Sequence, residues 1–406
     1  MNKIRLWYLY DFANSFASVV LLFYYPLILS ERGASDAWIG VSASIATGIL
    51  LLVLPYIGAL SDRTGKRIFF IKIGSVIMIL SLLLMSFVVK NNETFGLKIL
   101  FTLSFFYILF QICWQGSYSI YTAMLRHVSD SANNIKVSGE GYGFGQLGNA
   151  LAIVIIGAII GTSVIFFGLS GKALALFLGA IFFLLISSFF FSQKEPDRNY
   201  SASTFSYYKF FHKIKNNKKV FYFLIGYSLL ADALLTFQLY IALYVSKVFD
   251  FSDKGVSYVA ITGLIFTMIG SFLTSIFVKK LKNKNKALII SGISYGVCFG
   301  LCALMPVISF AVFTAVAISG LFFGVLFSLF RVIYSEISPE DSQGEFFSVF
   351  TVFERAASVI GPLVWLLTFY LLKSFGESIQ YRGSVLLLMV VCFIGIYYLK
   401  KSEKFS

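Results

Sequence analysis

Twelve predominantly apolar runs of about 20 residues, separated by charged or strongly polar breaks, divide the chain. A helix needs that length to cross the hydrocarbon core of a bilayer. Inside hydrocarbon every backbone N–H and C=O must be bonded internally, which leaves helices or a closed barrel. A barrel would show alternating segments of about 10 residues, whereas these runs are continuous. The expected fold class is therefore an all-α membrane protein with twelve transmembrane helices in two six-helix bundles. Twelve spans use roughly 240 of the 406 residues, so no sizeable soluble domain fits in the remainder. Charged residues make up only 13% of the chain, about half the usual share of roughly 25%.

The runs start near residues 7, 37, 68, 98, 138, 172, 220, 254, 287, 309, 345 and 381. Six lie on each side of the longest polar stretch, which carries Lys194, Arg198, Lys209, Lys213, Lys215, Lys218 and Lys219. The expected organisation is a bundle over 1–192, a cytoplasmic linker over 193–219 and a second bundle over 220–406. In the linker, Tyr207, Tyr208, Phe210, Phe211 and Ile214 share one side of a helical wheel, with Lys209, His212 and Lys213 opposite. That pattern fits a short interfacial helix, with a disordered basic linker as the alternative.

The net charge of +14 lies in short segments between apolar runs and not in a stripe, which argues against a nucleic-acid partner. About 25 of the 33 Lys and Arg residues fall on one side of the alternating loops, which predicts that both termini are cytoplasmic, at a plasma (inner) membrane. Lys3 and Arg5 precede an apolar run, as in a signal peptide, but Asp11 and Asn14 interrupt it and it continues too far. An uncleaved first helix is expected. Cys113, Cys298, Cys302 and Cys392 lie within apolar runs without C-x-x-C spacing, and only His127 and His212 could join them. No metal, disulfide framework or other cofactor is expected.

Several residues carry chemistry. Asp11, Asn14 and Ser15 stand at i, i+3 and i+4, so a helix puts them on one face, lining an aqueous cavity or, for Asp11, stabilising a helix N-terminus. Asp232 and Thr236 stand at i and i+4 in the seventh run, with Asp232 about 18 Å from its start and so near the midplane. A charge there costs at least about 2.5–3.5 kcal/mol unless paired, protonated or hydrated. Asp232 is either a functional group, with Asp11 the other candidate for proton coupling, or a hydrogen-bonding tie between helices. Gln111 and Gln115 share a face of the fourth run, for interhelical bonding or solute contact. Arg331 and Glu354 are either a cytoplasmic gate pair or interfacial anchors.

Glycines spaced by four, as at Gly141 and Gly145 or Gly320 and Gly324, let helix backbones approach closely. Gly143-Phe144-Gly145-Gln146-Leu147-Gly148 matches G-x-G-x-x-G, but no strand precedes it, so no nucleotide site is expected.

Gly58-Ala59-Leu60-Ser61-Asp62-Arg63-Thr64-Gly65-Lys66-Arg67 joins the second and third runs. Gly58 permits close packing, Gly65 a tight turn, and Asp62 can accept from donors at a neighbouring helix end. The segment resembles the loop signature of the major facilitator superfamily. Trp7-Tyr8-Leu9-Tyr10-Asp11-Phe12-Ala13-Asn14-Ser15-Phe16 resembles the first-helix motif of that superfamily's vacuole effluxer family. The stretch around Asp232, and Ser335-Glu336-Ile337-Ser338-Pro339-Glu340 with Gly361-Pro362 beyond it, are similar to the same family. The resemblance implies a secondary transporter, not an enzyme, moving a small organic solute, amino acids first, with protons as the candidate coupling ion. A multidrug or other organic-solute porter is the alternative. A membrane-embedded transferase would need a clustered acid–base set that the sequence does not display.

Overall fold

The computed structural model describes residues 2–91, 96–160, 162–195, 206–306 and 308–405. The helices are α1 (Lys3–Glu31), α2 (Asp36–Thr64), α3 (Arg67–Asn91), α4 (Leu97–Ala123), α5 (Leu125–Val128), α6 (Asn134–Ile160), α7 (Gly171–Phe190), α8 (Tyr207–Asn216), α9 (Lys218–Phe249), α10 (Asp253–Leu281), α11 (Lys284–Leu304), α12 (Ser309–Ile337), α13 (Gln343–Leu371) and α14 (Glu377–Glu403). All but α5 and α8 are long and apolar enough to cross a membrane, twelve in number among the described residues.

Polar breaks set the helix ends. Ser35 Oγ accepts from Trp38 N, Asn217 Oδ1 from Val220 N and Asn283 Oδ1 from Lys286 N, each satisfying an N–H that its helix leaves open. Gly65 ends α2 in the left-handed region at φ +67°. The N-terminus of α3 is capped from far along the chain, where the Glu195 carboxylate accepts from Ile68 N at 3.0 Å and Phe69 N at 2.8 Å. In the linker, α8 supplies the expected short helix. The side chains of Tyr207, Tyr208, Lys209, Phe210 and Phe211 lie outside the described ones, as do residues 196–205, Arg198 among them, whereas Ile214 is buried.

The chain forms two compact units. The first holds Met1–Asp130, Phe144–Thr204 and Glu340–Val349, and the second holds Ser131–Gly143, Phe205–Pro339 and Phe350–Ser406. In the first, α1 packs on α7, α3 on both α4 and α7, and α2 on α4. In the second, α9 packs on α14, α11 on both α12 and α14, and α10 on α12. Counting the six spans of each half in chain order, these are the same four pairings, which is how an internal repeat of a membrane bundle looks in space. The pairings rest on glycines in places. A methyl group at Gly324 would strike the Thr267 carbonyl of α10, and one at Gly226 would come within 2.8 Å of the Gly395 carbonyl of α14. Close backbone approach of this kind substitutes for a hydrophobic driving force that lipid does not supply.

Candidate functional site

The turn after α2 builds the most fully connected polar site of the first unit. Asp62 and Arg67 are both buried and form an ion pair. The Asp62 carboxylate also accepts from Gly344 N at 3.0 Å and Glu345 N at 2.8 Å, the open first-turn amides of α13. The positive end of the α13 dipole and the Arg67 guanidinium thus share one carboxylate. Arg67 further donates to the Ala123 carbonyl at 3.4 Å, which ties in the end of α4. Gly58 and Gly344 face one another so closely that a Cβ on either would collide with the other's backbone. The acceptor role expected for Asp62 is what the geometry shows. Arg63 is half-buried and Lys66 exposed at the edge. Ser119 Oγ lies 3.2 Å from Ser348 Oγ, so α2 and α4 both hold the start of α13, and Arg126 pairs at 3.2 Å with Glu340 in the turn before it.

On α1, Asp11 and Asn14 are buried and Ser15 is half-buried. The α6 backbone comes close beside them, where a Cβ on Gly145 would lie 3.1 Å from both Asp11 Oδ1 and Ser15 Oγ. The G-x-G-x-x-G stretch is therefore a helix-packing face: Gly143 sits under the Phe272 ring and Gly148 against the Phe12 carbonyl. On α4, Gln111 donates to the Tyr107 hydroxyl at 3.0 Å, and Gln115 is buried.

In the second unit, Asp232 is 3% exposed near the middle of α9, and its Oδ1 accepts from Gly361 N of α13 at 2.7 Å. Gly361 precedes Pro362, which lacks an N–H and crowds the preceding helical turn. Asp232 thus bonds a backbone amide at the point where proline disturbs the α13 ladder. Thr236 Oγ1 lies buried beside it without a partner among the described residues. A methyl group at Gly361 would collide with both side chains.

Among the described residues Arg331 and Glu354 are bonded to other groups. Glu354 is bonded by the Tyr227 hydroxyl of α9 and by neighbouring Arg355. Arg331 donates to the Ser138 carbonyl of α6 at 2.8 Å and lies over the Tyr142 ring at 5.2 Å. Glu354 stands one position from a cation and opposite a phenol, partners that helix spacing does not reveal. Glu195, Tyr227 and Trp114 are the polar participants that sequence reading passed over. For Glu195 the available signal was an acidic residue just before Pro196, beyond the end of an apolar run.

A family model described as Major Facilitator Superfamily matches residues 7–362. The chain is 24% identical over 416 aligned positions to the uncharacterised MFS-type transporter YxiO of Bacillus subtilis (strain 168), covering 95% of this chain and 92% of that one. It is 22% identical over 196 positions to autophagy-related protein 22 of Vanderwaltozyma polyspora, covering 46% of this chain and 37% of the relative. Its fold is similar, at a TM-score of 0.79 and 12% identity over 100% of both chains, to a crystal structure of a bacterial homologue of the iron transporter ferroportin in an outward-facing state. The sequence match across nearly every span, on a helical frame of twelve with a repeated pairing scheme, places the chain: it belongs to the major facilitator superfamily of membrane transporters.

Proposed function

We propose that the protein is a secondary transporter that exchanges small amino-acid-like solutes by alternating access and couples that movement to protons through Asp232. The observation that carries the coupling is the Asp232–Gly361 bond. A carboxylate buried in the middle of α9 accepts from a backbone amide beside a proline, so its protonation state bears directly on how firmly α13 is held. The Asp62 site supports the alternating-access part, because a charge-assisted grip on the start of α13 is the kind of contact that a transport cycle makes and breaks. Likeness to the vacuole effluxer family supports amino acids as the solute class. A cytoplasmic location of both termini and of the linker belongs to the same reading and rests on the basic bias of the loops.

Counterflow of labelled amino acids in proteoliposomes tests the function, because only a carrier exchanges solute across a sealed bilayer. Asp232→Asn tests the coupling: exchange should persist while accumulation driven by a pH gradient is lost. Unchanged pH-driven accumulation would make Asp232 a structural tie alone.

A further inference from the structure

Two aromatic pairs fix how α1 and α4 lie against each other. At one end the Trp7 and Tyr121 rings stack at 4.5 Å, Trp7 Nε1 donates to the Tyr121 carbonyl at 3.2 Å, and the Tyr121 hydroxyl donates to the Trp7 carbonyl at 3.1 Å. Towards the other end Tyr25 and Tyr107 stack at 3.9 Å, and the Tyr25 hydroxyl donates to Ser104 Oγ. Asn14 stands seven residues beyond Trp7, and Trp114 seven before Tyr121. Seven residues are two turns and about 10 Å of rise, so each lies on the same helix face as its member of the first pair and at about the same level. Measured from the first pair, this register sets Asn14 and Trp114 on the facing sides of α1 and α4, between the two aromatic pairs.

Among the described residues neither Asn14 Oδ1 nor Trp114 Nε1 has a hydrogen-bond partner, although Asn14 is only 2% exposed. A buried polar group left unmade costs about 1–3 kcal/mol, so two at one level are a standing penalty unless something else meets them. One is an acceptor and the other a donor. Trp114 continues a stripe on α4 with Tyr107, Gln111 and Tyr118 at i, i+4 and i+11, so the position belongs to a hydrogen-bonding face and not to a lipid-facing one.

We infer that Asn14 and Trp114 form a two-point site for a small zwitterion, with Asn14 Oδ1 accepting from its ammonium group and Trp114 Nε1 donating to its carboxylate. Asp11, one turn before Asn14, sets a further carboxyl group beside it on α1. An α-amino acid carries both charges on one carbon, which suits one donor and one acceptor set close together. This rests on the proposed function and names the residues that would read the solute's two ends.

The test uses counterflow by the full-length protein in proteoliposomes, with three competing probes: a free amino acid, its carboxamide and its N-acetyl derivative. Trp114→Phe keeps the ring and removes the N–H. It should raise the half-saturating concentration of the free amino acid about tenfold and leave that of the carboxamide nearly unchanged, because bonds to charged groups are the stronger ones. Trp114→His, which restores a ring N–H, should recover part of the loss. Asn14→Leu should weaken the free amino acid but not the N-acetyl probe. Unchanged affinity of Trp114→Phe for the free amino acid, or equal weakening of all three probes, would overturn the assignment while leaving the transport reading intact. A wild-type protein that exchanges no amino acid at all would remove both.

Discussion

Asp62 and Asp232 are both buried carboxylates that accept backbone amides of α13, yet they differ in what accompanies them. The Asp62 carboxylate is shared between Arg67 and a helix N-terminus, so it is held from two sides. Asp62→Asn keeps the shape and one acceptor oxygen but loses the ion pair and the charge assistance. Turnover at saturating solute should fall by about tenfold or more while the half-saturating concentration stays within about twofold, since the site is a helix-joining turn and not the proposed solute contact. Steady-state kinetics alongside a binding titration checks this, and a loss confined to affinity would contradict it. At this scale the sequence was readable where a motif carries its own geometry, as in Gly58, Asp62 and Gly65. It was silent where the partner lies far along the chain. Glu354 bonds Tyr227 across 127 positions, whereas the charges of α12 and α13 left open whether Arg331 and Glu354 pair or anchor separately.

Helices were the most legible level. Every expected start falls within about four residues of an observed one, because a run long enough to span hydrocarbon has only one satisfactory conformation. Less visible were α5 and the Glu195 cap on α3, which depend on turns and on contacts from another part of the chain. The glycine-mediated pairing of α10 with α12 gives a direct test of helix packing. Gly324→Ala would drive a methyl group into the Thr267 carbonyl and should destabilise the protein by about 1–3 kcal/mol, read as a lower midpoint in thermal unfolding in detergent. Gly157→Ala on α6, where nothing lies within 4 Å of an added Cβ, should be neutral or slightly stabilising. Similar melting of the two variants would refute close packing at Gly324.

For the molecule as a whole, the repeat of four helix pairings is visible in the structure and not in the spacing of the apolar runs, since neighbours in space are set by packing faces that apolar runs leave unspecified. Orientation in the bilayer follows from charge. Single cysteines at Ser35 and Ser203 should label from opposite sides of the membrane, with Ser203→Cys protected from an impermeant reagent in intact cells. External modification of Ser203→Cys would reverse the topology. The division of the chain into units runs through the interior of two helices, between Gly143 and Phe144 in α6 and between Val349 and Phe350 in α13. The two helices differ in what they carry at these points. Gly139, Gly141, Gly143, Gly145 and Gly148 cluster at the α6 crossing, each softening the helix by about 1 kcal/mol relative to alanine, so α6 has the character of a leaf spring. No glycine lies between residues 345 and 360 of α13, and its first amides hang on a single carboxylate, so α13 has the character of a stiff rod gripped at one end.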